Sequence, residues 1–136
     1  MRLNRASDYA LRILMLLAAE REPVTVDAIS VRLKLVKSHL MKIVAKLVKA
    51  EILKSNRGRN GGISLGRPAE QITLGEVVRT IEADFAVVEC MGSGSRCVFL
   101  PGCRLKRVMH DARSAFLAEL DGRTLDAITP PGVRPS

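Results

Sequence analysis

The residues best suited to chemistry are three cysteines, Cys90, Cys97 and Cys103, which fall within fourteen positions of a 136-residue chain that holds no others. An odd number cannot all pair within one chain. In a reducing compartment, closely spaced cysteines point to metal or redox chemistry rather than to a disulfide scaffold. Thiolates are the usual ligands of iron–sulfur clusters, normally four of them. Three thiolates and one other donor would leave one iron with a more replaceable ligand, the iron a small molecule reaches first. The intervening Met91-Gly92-Ser93-Gly94-Ser95 is small and flexible enough to wrap such a group, and Arg96 and Arg104 set positive charge beside two of the sulfurs. The same triad is open to other readings. A zinc site would want a near fourth Cys or His, and none follows. A metal-free thiol switch needs only the sulfurs. A redox enzyme or thiol carrier would need a Cys-x-x-Cys pair, a Gly-rich nucleotide loop after a strand or a nucleophile–base arrangement, and the sequence offers none of these. His39 and His110 read as surface or core histidines rather than metal ligands.

Charge marks a second region. The net charge is +8, but residues 1–80 hold 15 Lys/Arg against 7 Asp/Glu, while residues 81–136 hold 7 of each. Positive charge concentrated in this way attracts phosphate backbones, although a merely solvated basic face would look the same. The longest apolar run, Ile13 to Ala19, fits one globular helix and is too short to span a bilayer. No cleavage-type segment follows the basic N-terminus, so a cytoplasmic protein without a membrane partner is expected.

The elements that must position these residues follow from periodicity. Leu11, Leu14, Met15 and Ala18 predict a helix over about 6–20, with Ser7 or Asp8 near its start. Val24 begins a short extended piece. Thr25 caps a second helix to about Leu33, with Ile29 and Leu33 inward. After a turn at Lys34-Leu35-Val36 a third helix runs from Lys37 to about Ala50, burying Leu40, Ile43, Val44, Leu47 and Val48 and exposing Ser38, Lys42, Ala45, Lys46 and Lys49. Ile52-Leu53-Lys54-Ser55 and Gly62-Ile63-Ser64-Leu65 read as paired strands around an Asn60-Gly61 turn, where both positions tolerate positive φ. Gly66 to Ala69 is a linker. Thr73-Leu74-Gly75-Glu76 is a capping box for a helix to about Glu82. Leu105, Val108, Met109, Ala112, Phe116, Leu117 and Leu120 stripe a long helix from Arg104 to Asp121, for which the chain offers too little surface of its own, so a partner subunit is expected. Thr124 caps a last turn.

The fold class is therefore mainly α: a winged helix-turn-helix domain (1–82) with a two-stranded wing, a cysteine loop (83–103), a C-terminal dimerisation helix and turn (104–129) and a disordered tail (130–136). In such a domain the early residues of the recognition helix, here Lys37, Ser38, His39 and Lys42, meet base edges. Lys46, Lys49, Arg57 and Arg59 fall to phosphates or the minor groove, and Gly61 and Gly62 let the wing backbone approach. A symmetric dimer implies a palindromic operator in double-stranded DNA, with half-sites about one turn, roughly 34–36 Å, or a multiple apart.

The chain also resembles a known family, the Rrf2 family of bacterial winged helix-turn-helix regulators. The resemblance rests on Met1-Arg2-Leu3 with Ser7-Asp8-Tyr9-Ala10-Leu11-Arg12, the wing Arg57-Gly58-Arg59-Asn60-Gly61-Gly62, Ile72-Thr73-Leu74-Gly75-Glu76-Val77-Val78, the cysteine loop ending Cys103-Arg104-Leu105, and Phe116 to Asp121. The residues are most similar to the nitric-oxide-sensitive, NsrR-type branch. That likeness implies a homodimeric transcriptional repressor, not an enzyme, with an iron–sulfur cluster (4Fe–4S or 2Fe–2S) on Cys90, Cys97 and Cys103. It further implies that nitric oxide attacks the cluster, DNA binding is lost and detoxification genes are released. IscR-like members place a histidine three residues after the last cysteine, where this chain has Lys106 and the nearest histidine is His110. In some NsrR-type members an aspartate from the partner subunit is the fourth ligand, and Asp8 matches it. The six residues between Cys90 and Cys97 leave a RirA-like, iron-responsive role open.

Overall fold

Asn4 sets the start of the fold: its side chain accepts the Ser7 N–H at 2.7 Å and begins α1 (Arg5–Ala18) in a computed structural model that describes residues 2–92, 94 and 96–131. The cap thus lies three residues before Ser7, the first of the two positions expected near it. That spares the Ser7 hydroxyl, fully buried, to donate to Glu82 at 2.8 Å. Thr25 caps α2 (Val26–Leu33) as expected, accepting the Ala28 N–H at 3.1 Å. Lys34 takes a left-handed conformation (φ 55°), and the Ser30 hydroxyl donates to the Leu35 carbonyl at 2.6 Å, which turns the chain into α3 (Lys37–Lys49). Leu40, Ile43, Val44 and Leu47 of α3 are buried against α1 and α4. Its opposite face is exposed as the period of 3.6 requires.

The wing is an antiparallel pair, β1 (Leu53–Asn56) and β2 (Gly62–Leu65), with Leu53 opposite Leu65 and Asn56 opposite Gly62. β1 begins one residue later than expected because the Ile52 N–H still bonds back to the Leu47 carbonyl at 3.0 Å. Val24 forms its extended piece by exchanging both backbone bonds with Ile63, at 2.9 and 2.7 Å. The turn differs from expectation. Positive φ falls at Gly58 and Gly62, not at Asn60-Gly61. A five-residue connection is too long for a two-residue hairpin turn. It closes on its own bond, Gly61 N–H to Gly58 carbonyl at 2.9 Å, which leaves Arg59 and Asn60 at the tip. A Cβ at Gly62 would lie 2.7 Å from the Val24 carbonyl.

The linker makes one 3-10 turn, Ala69–Gln71, before α4 (Leu74–Ile81). Only half of the capping box forms: the Thr73 hydroxyl accepts the Glu76 N–H at 3.2 Å, while the Glu76 carboxylate pairs with Arg67 instead of turning back. Beyond the cysteine loop come α5 (Arg104–Asp121), within the bounds the stripe predicts, and α6 (Leu125–Ile128). Leu125 of α6 is fully buried in the core of the head. Backbone bonds from Leu74 N–H to the Arg123 carbonyl (2.9 Å) and from Leu125 N–H to the Ile72 carbonyl (2.8 Å) hold the return. Of the expected tail, residues 132–136 lie outside the described residues. Among the described residues no helix is long and apolar enough to cross a membrane.

One core seats both α3 and the wing, with Ile13, Leu14, Leu40, Leu47, Ile52 and Val77 at its centre. Leu47→Ala removes a fully buried side chain and should lower unfolding free energy by roughly 2–5 kcal/mol in a denaturant titration. A loss under 1 kcal/mol would mean the packing is not as described.

Candidate functional site

The basic surface comes from α3 and the wing. Lys37, Ser38, Lys42, Lys46 and Lys49 are exposed on α3, and Arg57 and Arg59 are exposed at the wing tip beside half-buried Gly61 and Gly62. Lys37 carries a surface ion pair to Asp27 at 2.7 Å. Such an exposed pair is weak. His39 differs from the other expected base readers: it is half-buried, its ring edge-on to Tyr9 with centroids 5.6 Å apart.

Tyr9 connects that contact to Asp8. The Asp8 carboxylate, half-buried in the first turn of α1, accepts two hydrogen bonds from Arg12, from Nε at 3.1 Å and Nη2 at 2.9 Å. The same guanidinium lies over the Tyr9 ring, 5.9 Å from its centroid. α1 therefore presents a carboxylate whose orientation is set by a forked cation, with an aromatic ring between that cation and α3.

The cysteine loop has a different character. Cys90 is half-buried in a 3-10 turn (Glu89–Met91), Cys97 is exposed, and Cys103 is half-buried as the N-cap of α5, its Sγ accepting the Lys106 N–H at 3.4 Å. No residue described between Glu82 and Arg104 is buried, and Gly94 and Gly102 adopt positive φ. Among the described residues no three His, Cys, Asp or Glu side chains gather as a metal-binding set, so the three sulfurs and Asp8 do not meet within one chain. The donor chemistry suits a thiolate-held iron–sulfur group all the same: three solvent-reached sulfurs lie on one short loop that no core packing holds in place.

α5 leaves that loop with no buried residue along its eighteen. Leu105 is 57 % and Val108 60 % exposed, and Phe99 just before them is 73 % exposed. A hollow of about 290 Å³ lined by Leu3, Phe85, Val87, Ala112 and Phe116 continues the apolar surface toward the start of α1. The far end of α5 is fastened by Asp121, which accepts from Arg79 of α4 through both oxygens, Nη2 to Oδ2 at 2.8 Å. That hydrogen bonding holds the Asp121 carboxyl below the ordinary aspartate range and raises Arg79. Gly75 makes the pair possible: a Cβ there would sit 1.8 Å from Asp121 Oδ1. The sequence singled out neither Arg79 nor Glu82 as a fastening residue. The only signal was their place on or just after a short helix next to the cysteine loop.

Comparison with known proteins gives a consistent picture. The family model described as "Rrf2: Iron-dependent Transcriptional regulator" matches residues 3–131. The HTH-type transcriptional regulator NsrR of Bacillus subtilis (strain 168) is 44% identical over 128 residues, covering 92% of this chain and 88% of the relative. The regulator of the same name from Bacillus licheniformis is 43% identical over 131 residues, 94% of this chain and 92% of the relative. The solved structure of T. potens IscR has 25% identity and a TM-score of 0.77 over 94% of this chain and 85% of that one.

The Asp121 pair carries a pH signature. Its carboxyl is depressed in the fold, so the anchorage is complete at neutral pH. It persists through the ordinary aspartate value of about 3.9 and is lost only as pH falls through the depressed one. Carboxyl NMR should show Asp121 titrating below the other exposed aspartates, and Asp121→Asn should speed amide exchange at the end of α5 even at neutral pH. An ordinary titration for Asp121 would contradict the pairing.

Proposed function

The chain belongs to the Rrf2 family of transcriptional regulators, and from that premise we propose that it is a dimeric DNA-binding repressor whose hold on its operator depends on an iron–sulfur cluster. Cys90, Cys97 and Cys103 would hold the cluster, with the partner subunit's Asp8 as the fourth donor. Bound there, the cluster would supply iron open to nitric oxide, and its loss would release the operator and the nitric-oxide detoxification genes behind it.

The observation that carries this reading is Cys103 at the N-cap of α5. One residue ends the cysteine loop and begins the helix whose exposed apolar side chains call for a second subunit. Eighteen residues without one fully buried side chain leave much of the apolar face of α5 open to a partner. A two-fold arrangement would also let Asp8 of one chain approach the cysteine loop of the other.

The residues of the head do the gripping. Lys37, Ser38, His39 and Lys42 meet base edges, while Lys46, Lys49 and the wing arginines neutralise phosphates, so affinity falls steeply with salt. Half-buried His39 transmits the position of α1 to the start of α3 through Tyr9. Any shift of Asp8 acts on Arg12 first, because the fork of two hydrogen bonds ties them. A difference of a few kcal/mol between gripping and released arrangements is enough to switch occupancy. An iron-responsive role is the second reading, which the six residues between Cys90 and Cys97 leave open.

Protein purified without oxygen should contain iron and sulfide and absorb visible light. Replacing Cys90, Cys97 or Cys103 by Ser should abolish all three signals. Nitric oxide should weaken binding to an operator duplex by tenfold or more, which is about 1.4 kcal/mol. Operator affinity that is unchanged after complete nitrosylation would remove the nitric-oxide role. Asp8→Ala should leave a cluster that decays faster; no change on this substitution, with cluster loss at low iron, would select the iron-responsive reading.

A further inference from the structure

Eight large apolar side chains are exposed among the described residues, and they form two groups. Val87, Val98, Phe99, Leu105 and Val108 belong to the cysteine loop and α5, the surface already given to the partner subunit. Val31, Val36 and Met41 lie in the helix-turn-helix. Of these, Met41 alone stands inside α3, and it is 53 % exposed.

Ser38, Met41, Lys42 and Ala45 follow one another at i, i+3, i+4 and i+7, so they share one face of α3, and all four are exposed. Ser38 and Ala45 are small. They neither cover the Met41 thioether nor hold the helix away from a surface it approaches. Lysines 37, 42, 46 and 49 line the same exposed side. An apolar protein partner would have to desolvate those charges, which is costly without matching carboxylates. The major groove of DNA meets both demands. It offers phosphates on either side for lysines, and the one apolar feature of its floor is the thymine C5-methyl group.

We propose that Met41 is a specificity-determining residue: with Ala45 one turn on, it packs against thymine C5-methyl groups in the major groove and places thymines in each operator half-site. The proposal rests on the DNA-binding reading above and adds the base it selects. Methionine has three soft torsions, so the contact accepts a methyl from either strand of the base pair. Lysines at phosphates confer affinity without sequence choice. The apolar contact therefore adds a choice of thymine beside the base edges that Lys37, Ser38 and Lys42 reach.

The test starts by enriching duplexes from a random-sequence library on the full-length, oxygen-protected protein. Each thymine of an enriched duplex is then replaced by deoxyuridine, which removes the methyl and keeps the pairing. One or two replacements per half-site should weaken wild-type binding roughly fourfold, the value of one buried methyl group. Met41→Ala should bind the thymine duplex more weakly by a similar factor and respond no further to those uracils, while Met41→Leu should keep the response. Wild-type indifference to every uracil, or a full uracil penalty in Met41→Ala, overturns the proposal. So does a change in molecular mass of Met41→Ala without DNA, which would assign the side chain to a protein contact. Failure to enrich any duplex would overturn the DNA-binding reading itself, whereas enrichment with indifference to uracil overturns only the role of Met41.

Discussion

Glu82 accepts two hydrogen bonds from the start of α1, one from the Asn4 N–H and one from the Ser7 hydroxyl, each at 2.8 Å. Ser7 is completely shielded from water, so its hydroxyl cannot turn to solvent, and leaving such a group unpaired costs about 1–3 kcal/mol. The clasp is long in sequence and short in space: it joins the first turn of the chain to the residue that ends α4. Ser7 precedes Asp8, and Glu82 precedes the cysteine loop. Both parts of the candidate sensing site are therefore referred to one fixed point. Below that point Ile13, Leu14 and Leu17 of α1 share a core with Val77 and Ile81 of α4, which keeps the clasp from sliding.

From the same helix a second set of contacts runs the other way. Asp8, Arg12, Tyr9 and His39 form an unbroken sequence of ion pair, cation over ring and ring edge on ring, ending at the third residue of α3. None of these contacts is strong alone, since exposed ion pairs and cation–π contacts contribute on the order of 1 kcal/mol or less. Their value is geometric. α1 carries Asp8 and meets α3 through Tyr9 within one turn and a half of backbone, while its buried face is locked by aliphatic packing.

How much of this the sequence made legible depended on whether a residue's role was local. Helix spans came out well because periodicity and a capping hydroxyl act within four residues. Thr25 capped α2, and the stripe from Leu105 to Leu120 marked α5 to both its ends. Roles settled by distant partners did not come out. Asn60-Gly61 carried the turn signal, yet Gly58 and Gly62 took the positive φ because Val24, far back in the chain, pairs with Ile63 and dictates where the strand starts. Glu76 was drawn to Arg67 instead of its own cap. Met41 passed unnoticed because its exposure, not its type, is the signal, and exposure depends on what packs beside it. The cysteine triad was the reverse case. Residue type and spacing announced it, while the placement of Cys90, Cys97 and Cys103 in one chain leaves the sulfurs apart.

The return of the chain through α6 makes α5 a lever. Its Asp121 end is pinned to the head by the Arg79 pair, by the strand-like bonds at Arg123 and Leu125, and by a leucine sunk in the core. Its Cys103 end follows directly on the cysteine loop, whose 3-10 turn packs against the helix. Eighteen residues at 1.5 Å rise span about 27 Å, so a tilt of about 5° about the pinned end sweeps the free end through about 2 Å. Mechanical advantage of that kind works in both directions. An ångström-scale displacement at Cys103 would arrive at the head as a small rotation, and a head held in place would restrict how far Cys103 can move.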